Sequence, residues 1–225
     1  MLTDFHTHTF LSDGALLPIE LIRRAAVGGH DAIAITDHVS ASNMEPVIEM
    51  VRRDGEIGER EWGIRVIAGV ELTHVPPSQI APLAEWARSL GAEMVVCHGE
   101  TIVEPVDPGT NAAAVACPHV DLIAHPGLIT IEHARQAAAN GIFLELSARK
   151  GHCLTNGHVA RAAIEAGAKL LVNSDGHEPR DMLSAELAER IAIGAGLSPE
   201  LLSQVREANP QALLDRVLAR RETQR

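Results

Sequence analysis

The stretch "DFHTHTFLSDG", residues 4–14, puts two histidines and two aspartates at the end of the first strand and in the loop behind it. Residues 2–6 read as a strand, and on a strand side chains two apart point to the same side. His6 and His8 can therefore chelate one ion, and Asp13 lies in the loop that follows. An HxH pair alone is a weak signal, since a lone histidine is more often a satisfied core or loop residue. Whether the pair reports an active site depends on how the later strands end.

They end the same way. Six more apolar, β-branched runs follow: 32–36 "AIAIT", 65–72 "RVIAGVEL", 93–97 "EMVVC", 121–125 "DLIAH", 142–147 "IFLELS" and 170–175 "LLVNSD". Helical patterns separate them near 18–28, 43–54, 79–90, 109–116, 130–140 and 157–167, with three further helices near 180–194, 198–207 and 209–221. Pro18 opens one helix, Ser198 and Pro199 cap and open another, and Gly91, Gly141 and Gly167 follow helix ends. Strands that alternate with helices predict a parallel α/β sheet with right-handed crossovers. No GxGxxG follows the first strand and there is no P-loop. A closed or nearly closed (β/α)7 barrel fits better than an open doubly wound sheet. Residues 1–225 read as one domain without a linker or internal repeat, and the irregular loop 99–111 as part of a pocket rim.

His6 and His8 end the first strand, His38 the second, and Glu71 lies near the end of the third. His98 follows the fourth and His125 the fifth, while Asp175 and His177 repeat the i, i+2 spacing after the seventh. In a parallel barrel all these ends open on one face, where such enzymes carry their chemistry. With Asp13, nine ligand-type residues converge there. Imidazole and carboxylate together suit Zn, Mn or Fe(II). Nine ligands exceed the needs of one ion, so two or three divalent ions are expected, with a carboxylate such as Glu71 bridging.

Bulk properties agree. The chain has 225 residues, 46% of them apolar, a formal charge of −11, three Phe, two Trp and no Tyr. That acidity and aromatic poverty argue against long nucleic acids and anionic membranes. A small substrate is the better expectation. No apolar run approaches a bilayer span, no secretory signal is visible, and three unclustered cysteines argue against a disulfide framework. The cytoplasm is the expected location; the sequence carries no reading of oligomeric state.

The motifs "DFHTHTFLSDG", "AITDH", "GVEL", "CHGE", "DLIAHPG" and "NSDGH", in order across residues 2–177, resemble the PHP (polymerase and histidinol phosphatase) superfamily. The resemblance implies a distorted (β/α)7 barrel and a trinuclear site at the C-terminal ends of its strands. It implies His6, His8, Glu71 and Asp175 around a first ion, Glu71, His98 and His125 around a second, and Asp13, His38 and His177 around a third. Position 13 is a histidine or an acid in different members. The implied activity is hydrolysis of a small phosphomonoester by a metal-bridging hydroxide, with histidinol phosphate the first candidate.

Phosphate needs a cation as well as metals. "SARKGH", past the sixth strand, offers Arg149 and Lys150, with Arg149 the better fork for two phosphate oxygens, and His152 as a weaker contact. A solvated loop pair explains Arg149 and Lys150 equally well. Glu100 or Glu104 could meet the histidinol ammonium, and His74 could line the pocket. His158 starts a helix; His30, His119 and His133 read as surface residues; Cys97 and Asp37 alternate away from the metals; Asp181 reads as a helix-start residue. Three other functions compete: a phosphatase or phosphodiesterase of nucleotides or short oligonucleotides, a non-catalytic metal-stabilised docking module, and an amide or lactone hydrolase that has no need of Arg149.

Overall fold

The computed structural model describes residues 1–224. Its strands are β1 Thr3–Asp4, β2 Ala32–Ile35, β3 His38–Val39, β4 Arg65–Leu72, β5 Met94–His98, β6 Leu122–Ala124, β7 Phe143–Ser147 and β8 Leu170–Asn173. The helices are α1 Pro18–Val27, α2 Met44–Trp62, α3 Pro77–Ser89, α4 Thr110–Ala116, α5 Ile131–Asn140, α6 Asn156–Ala166, α7 Ala185–Gly194, α8 Pro199–Ser203 and α9 Asn209–Gln224. All strand pairs are parallel, in the order β1-β2-β4-β5-β6-β7-β8, with β3 also on β4. Ile35 opposes Ala68 and His38 opposes Glu71, so β2 and β3 keep one register and count as a single interrupted strand. The result is a seven-stranded parallel sheet, nearly closed into a barrel with helices between the strands.

The seam lies between β1 and β8. A single bridge, Thr7 to Gly176, joins the backbones there, with the His8 N–H donating to the Gly176 carbonyl at 2.9 Å. Buried side chains supply the rest: the Phe5 N–H donates to Asn173 Oδ1 and the Ser174 N–H to Asp4 Oδ1. The first strand is therefore shorter than residues 2–6, because side chains replace part of the ladder.

Alternation divides each strand between two layers. Ile33, Ile35, Val66, Val70, Val95, Cys97, Ile123, Leu144 and Leu146 pack outward under the helices. Ala32, Ala34, Ile67, Met94, Val96, Leu122, Ala124, Phe143 and Leu171 point inward and fill the barrel together with Phe5. Helix α9 seals the end away from the ligand-bearing strand ends, with Leu213, Leu214 and Val217 in that same inner cluster. Its arginines tie down the rim: Arg220 donates to the buried Asp121, and Arg221 to Glu59 and to the Val66 carbonyl. Leu213 is fully buried. Leu213→Ala is expected to cost ~3 kcal/mol of stability in urea unfolding while leaving metal content unchanged.

Helix α2 runs eight residues past the expected end at 54, to Trp62. Gly55 and Gly58, beyond that expected end, are both buried and let the helix lie close to β4 and α1: a Cβ on Gly55 would meet Val66 Cγ1 at 3.1 Å and one on Gly58 would meet Ile22 Cγ2 at 2.5 Å. The expected helix 180–194 begins only at Ala185, behind a short 3-10 turn at Pro179–Asp181. The expected helix 198–207 becomes α8 and a π turn, Gln204–Ala208.

Candidate metal centre

The strand ends deliver their side chains by two devices. The first is alternation: Ile67, Gly69 and Glu71 share the inner face of β4, and Met94, Val96 and His98 that of β5. The second is a left-handed backbone. His125 would alternate away from the interior after Ala124, but its φ of +28° turns it inward; Asp175 has φ +53°. Non-glycine residues in this region are uncommon and cluster at functional sites. Gly14 closes the loop that returns Asp13 to the rim, passing so near His8 that a Cβ would lie 2.5 Å from its carbonyl oxygen.

Glu71 is completely buried among four imidazoles. Its carboxylate lies 3.3 Å from His6 Nε2, 3.7 Å from His8 Nε2, 2.7 Å from His38 Nδ1 and 3.8 Å from His125 Nε2. Asp175 lies 3.3 Å from His8, 3.5 Å from His125 and 3.8 Å from His6, measured to Nε2 in each case. Asp13 Oδ1 lies 3.1 Å from His177 Nε2 and 3.4 Å from His38 Nε2. Two ligands on one tetrahedral zinc stand about 3.3 Å apart, so these spacings are those of atoms sharing an ion.

Satisfaction of polar atoms leads to the same fit. His6 Nε2, both ring nitrogens of His8, Glu71 Oε1 and His125 Nδ1 are buried without a hydrogen-bond partner. Orphaned buried polar atoms are costly, and a divalent cation would satisfy several of these at once. Burial lowers the basicity of His8 and His125, and nearby imidazoles add to the effect, so both are neutral and ready to ligate. Burial also disfavours charge on His6, but Glu145, Glu71 and Asp175 outweigh it and raise its basicity. Burial opposes charge on Glu71, yet His6 and His38 keep it well below the carboxylate range.

Glu145 was not among the expected site residues. It points inward from the middle of β7 and is fully buried. Its Oε1 lies 2.9 Å from His6 Nδ1 and accepts from Asn173 Nδ2, and its Oε2 accepts the His125 N–H. It thereby fixes the His6 ring with Nε2 toward Glu71, as carboxylates behind metal-bound histidines do. Asp37 turns away from the cluster as expected, and accepts from Thr9 N–H, Thr9 Oγ1 and Ser12 Oγ to hold the loop carrying Asp13.

His98 sits in an adjoining group with His74 and Glu104. Its Nε2 is 2.9 Å from Glu104 Oε2, and its ring meets that of His125 edge-on at 4.5 Å. His152 is buried, stacks on His125 at 4.0 Å, and has its Nδ1 2.7 Å from Thr101 Oγ1. Its Nε2 is 3.4 Å from Glu104 and 3.9 Å from Asp175. His152 is thus as central as the strand-end histidines.

Arg149 stands at the mouth, where Nη1 donates to the Asp175 carbonyl at 3.2 Å and lies 2.8 Å from His177 Nδ1. Arg149 and Lys150 line a cleft of about 460 Å³ with Asp175, His177, Glu178 and Arg180. Asp181 accepts the backbone N–H groups of His177 and Glu178, bracing the end of the cluster. Glu100 is committed elsewhere: its Oε1 accepts from Gly109 N–H and Asn111 N–H and shapes the loop. His30 is buried, with Nδ1 donating to the Ala25 carbonyl, and not on the surface as expected; its position behind α1 hides it from solvent. His119 and His133 are half-buried, and His158 donates to the Ile129 carbonyl, all away from the cluster.

Residues 4–90 match the family model described as the PHP domain. A probable phosphatase of Acetivibrio thermocellus is 31% identical over 190 residues, covering 77% of this chain and 78% of that protein. An uncharacterized protein of Methanocaldococcus jannaschii, MJ1295, is 48% identical over 215 residues, or 95% of this chain and 99% of that one. The chain belongs to the PHP family. The PHP barrel also has solved counterparts. The histidinol phosphate phosphatase of Lactococcus lactis, crystallised with zinc, L-histidinol and phosphate, superposes with a TM-score of 0.63. The match covers 88% of this chain and 94% of that one at 16% identity, a likeness of fold.

Proposed function

We propose that this PHP chain, a metal-dependent phosphatase by class, hydrolyses a small phosphomonoester at a site of two or three divalent ions, with histidinol phosphate the first candidate. One observation carries the reading: the cluster holding buried, partnerless nitrogens of His6, His8 and His125 and an oxygen of Glu71 reaches, through Asp175 and His177, a cleft lined by Arg149 and Lys150. His6, His8, Glu71 and Asp175 would hold one ion, Glu71 and His125 a second with His98, and Asp13, His38 and His177 a third; Zn, Mn and Fe(II) all suit such ligands. Closely spaced ions supply a clamp on phosphoryl oxygens and a water acidic enough to ionise near neutral pH.

The chain's own groups do the rest. Arg149 is tied to the Asp175 carbonyl through Nη1, which leaves the remaining N–H groups of its fork for phosphate oxygens. Exposed Lys150 adds positive potential at the entrance. His152, held through Nδ1 near Thr101, presents Nε2 to the interior beside Asp175, where the phosphate would lie. Because Arg149 contacts no carboxylate more closely than 3.9 Å among the described residues, Arg149→Ala should keep full metal content yet lower kcat/KM roughly 10- to 100-fold, as expected for losing a charged hydrogen bond. An amide or lactone hydrolase would lose nothing. Glu100 is committed to its loop, and Glu178 on the cleft wall is paired with Arg180 at 2.9 Å, so a histidinol ammonium would have to displace that arginine to reach it.

A nucleotide is the second reading, favoured by Arg180, which joins Arg149 and Lys150 on the same cleft. Orthophosphate release from a panel of monoesters decides between them. Preference for histidinol phosphate supports the first reading; preference for nucleoside monophosphates or bisphosphates replaces it with the second. Silence with every metal would leave the docking module. We place the protein in the cytoplasm, in keeping with cysteines 97, 117 and 153 standing as free thiols.

A further inference from the structure

The face that carries the cluster also carries aliphatic side chains that no core accounts for. Ile102, Val103, Leu128 and Leu154 are 52%, 47%, 63% and 70% exposed, and they lie on the loops that follow β5, β6 and β7. Scattered exposed aliphatics are ordinary; several gathered on joined loops are not. These loops are joined edge to edge. A Cβ on Gly151 would meet Val103 Cγ2 at 3.3 Å, so Val103 lies over the turn that leads to Leu154. A Cβ on Gly127 would fall 1.8 Å from the Glu100 carbonyl oxygen, so the chain just before Leu128 presses on the segment that leads to Ile102. Thr101 Oγ1 stands 2.7 Å from His152 Nδ1, Asn111 Nδ2 donates to the Pro126 carbonyl and His158 Nε2 to the Ile129 carbonyl, both at 2.8 Å. The four aliphatics are thereby held on fixed backbone around His152, whose ring stacks on His125.

Charge is distributed to match. Residues 101–103, 125–130 and 151–155 include no Lys, Arg, Asp or Glu. The two acids beside them are engaged: Glu100 accepts from the Gly109 and Asn111 N–H groups, and Glu104 faces His98 and His152. An ammonium or a polyhydroxylated group laid on this side would give up water without gaining a partner. The cleft beyond β7 and β8 is basic instead, with Arg149, Lys150 and Arg180. A phosphomonoester has one charged end and one end set by its alcohol. The basic cleft and the cluster suit the first, which leaves the aliphatic side for the second.

We infer that Ile102, Val103, Leu128 and Leu154 form an apolar shelf that receives the alcohol portion of the substrate, so that the preferred phosphomonoesters carry an uncharged, apolar alcohol. This rests on the phosphatase reading above and narrows its substrate class, with histidinol phosphate as the polar ester for comparison. A shelf fixed before the substrate arrives loses little freedom on binding, so the apolar contact goes into affinity.

The test is steady-state phosphate release by metal-loaded protein from ethyl, butyl and hexyl phosphate, with glycerol phosphate and histidinol phosphate beside them. The alkyl esters share one leaving-group chemistry, so chain length reports binding of the alcohol. From ethyl to hexyl, kcat/KM should rise about 10-fold or more, chiefly through a lower KM. Leu128 and Leu154 are exposed, so the double variant Leu128→Ser/Leu154→Ser should fold and keep its metal, which circular dichroism and metal analysis check; each single substitution should remove part of the rise and the pair most of it. Ile57→Ser, on the exposed side of α2, should leave the rise intact. A flat series in the parent chain, an undiminished rise in the double variant, or a preference for histidinol or glycerol phosphate over hexyl phosphate would overturn the shelf and leave the phosphatase reading standing. No release from any ester with any metal would overturn that reading itself.

Discussion

Replacing Asp175 by alanine is expected to abolish phosphate release, with a loss on the order of 1,000-fold or more in kcat. Asp175 stands within 4 Å of His6, His8, His125 and His152, and on the proposed assignment it would hold the first ion and border the second. Its removal should lower metal content and, with it, an electrostatic contribution of several kcal/mol to the transition state, each 1.36 kcal/mol being tenfold. The backbone argues for the same conclusion. A left-handed φ of +53° at an aspartate costs folding energy, and the cluster is what repays it. Alanine tolerates that φ less well than aspartate, so Asp175→Ala should lose some stability, still fold, and hold fewer ions per chain. Steady-state kinetics with metal analysis on the same sample settles it, and a variant with both turnover and full metal content would refute the assignment.

Glu145 should give the second large effect, by a different route. It makes no contact with substrate in this account; it orients His6 and anchors the His125 backbone and Asn173. Glu145→Gln keeps the shape and removes the charge, so metal affinity should fall about 10- to 100-fold, the usual consequence of losing an outer hydrogen-bond partner. Glu145→Ala also strands buried donors and should cost roughly 3–5 kcal/mol of stability. Chelator competition reads the first effect and urea unfolding the second. Because Asn173 Oδ1 accepts the Phe5 N–H across the seam, the alanine variant should also loosen β1 from β8. Two variants indistinguishable from the parent would mean that the His6 ring needs no support.

The contrast between Asp175 and Glu145 shows how far the sequence could be read. Asp175, His177 and the other strand-end candidates were legible because a parallel barrel brings all its strand ends to one face, so position along the chain was enough. Glu145 lies mid-strand, where attention to ends misses it. The signal was present in "FLELS": Phe143, Glu145 and Ser147 alternate inward, and a carboxylate on a buried inner face needs a partner. His152 was underweighted because it follows an irregular turn, where no periodicity says which way a ring points. Glu100 and Glu104 looked alike in the sequence, and only the loop's hydrogen bonds separate a bracing acid from one that faces the cluster. The barrel itself followed from the alternation of strands and helices. The docking of α9 did not, since an amphipathic pattern names a buried face but not what it is buried against; here Leu213 and Val217 close the barrel floor.

The most direct test of the central claim is orthophosphate release from a small phosphomonoester as divalent metal is added back to chelator-stripped protein, with Asp175→Ala run beside it. The account predicts no turnover from stripped protein, a rise that saturates at two or three ions per chain, and a flat line for the variant. Equal rates from stripped and reloaded protein, or full recovery by the variant, would contradict it.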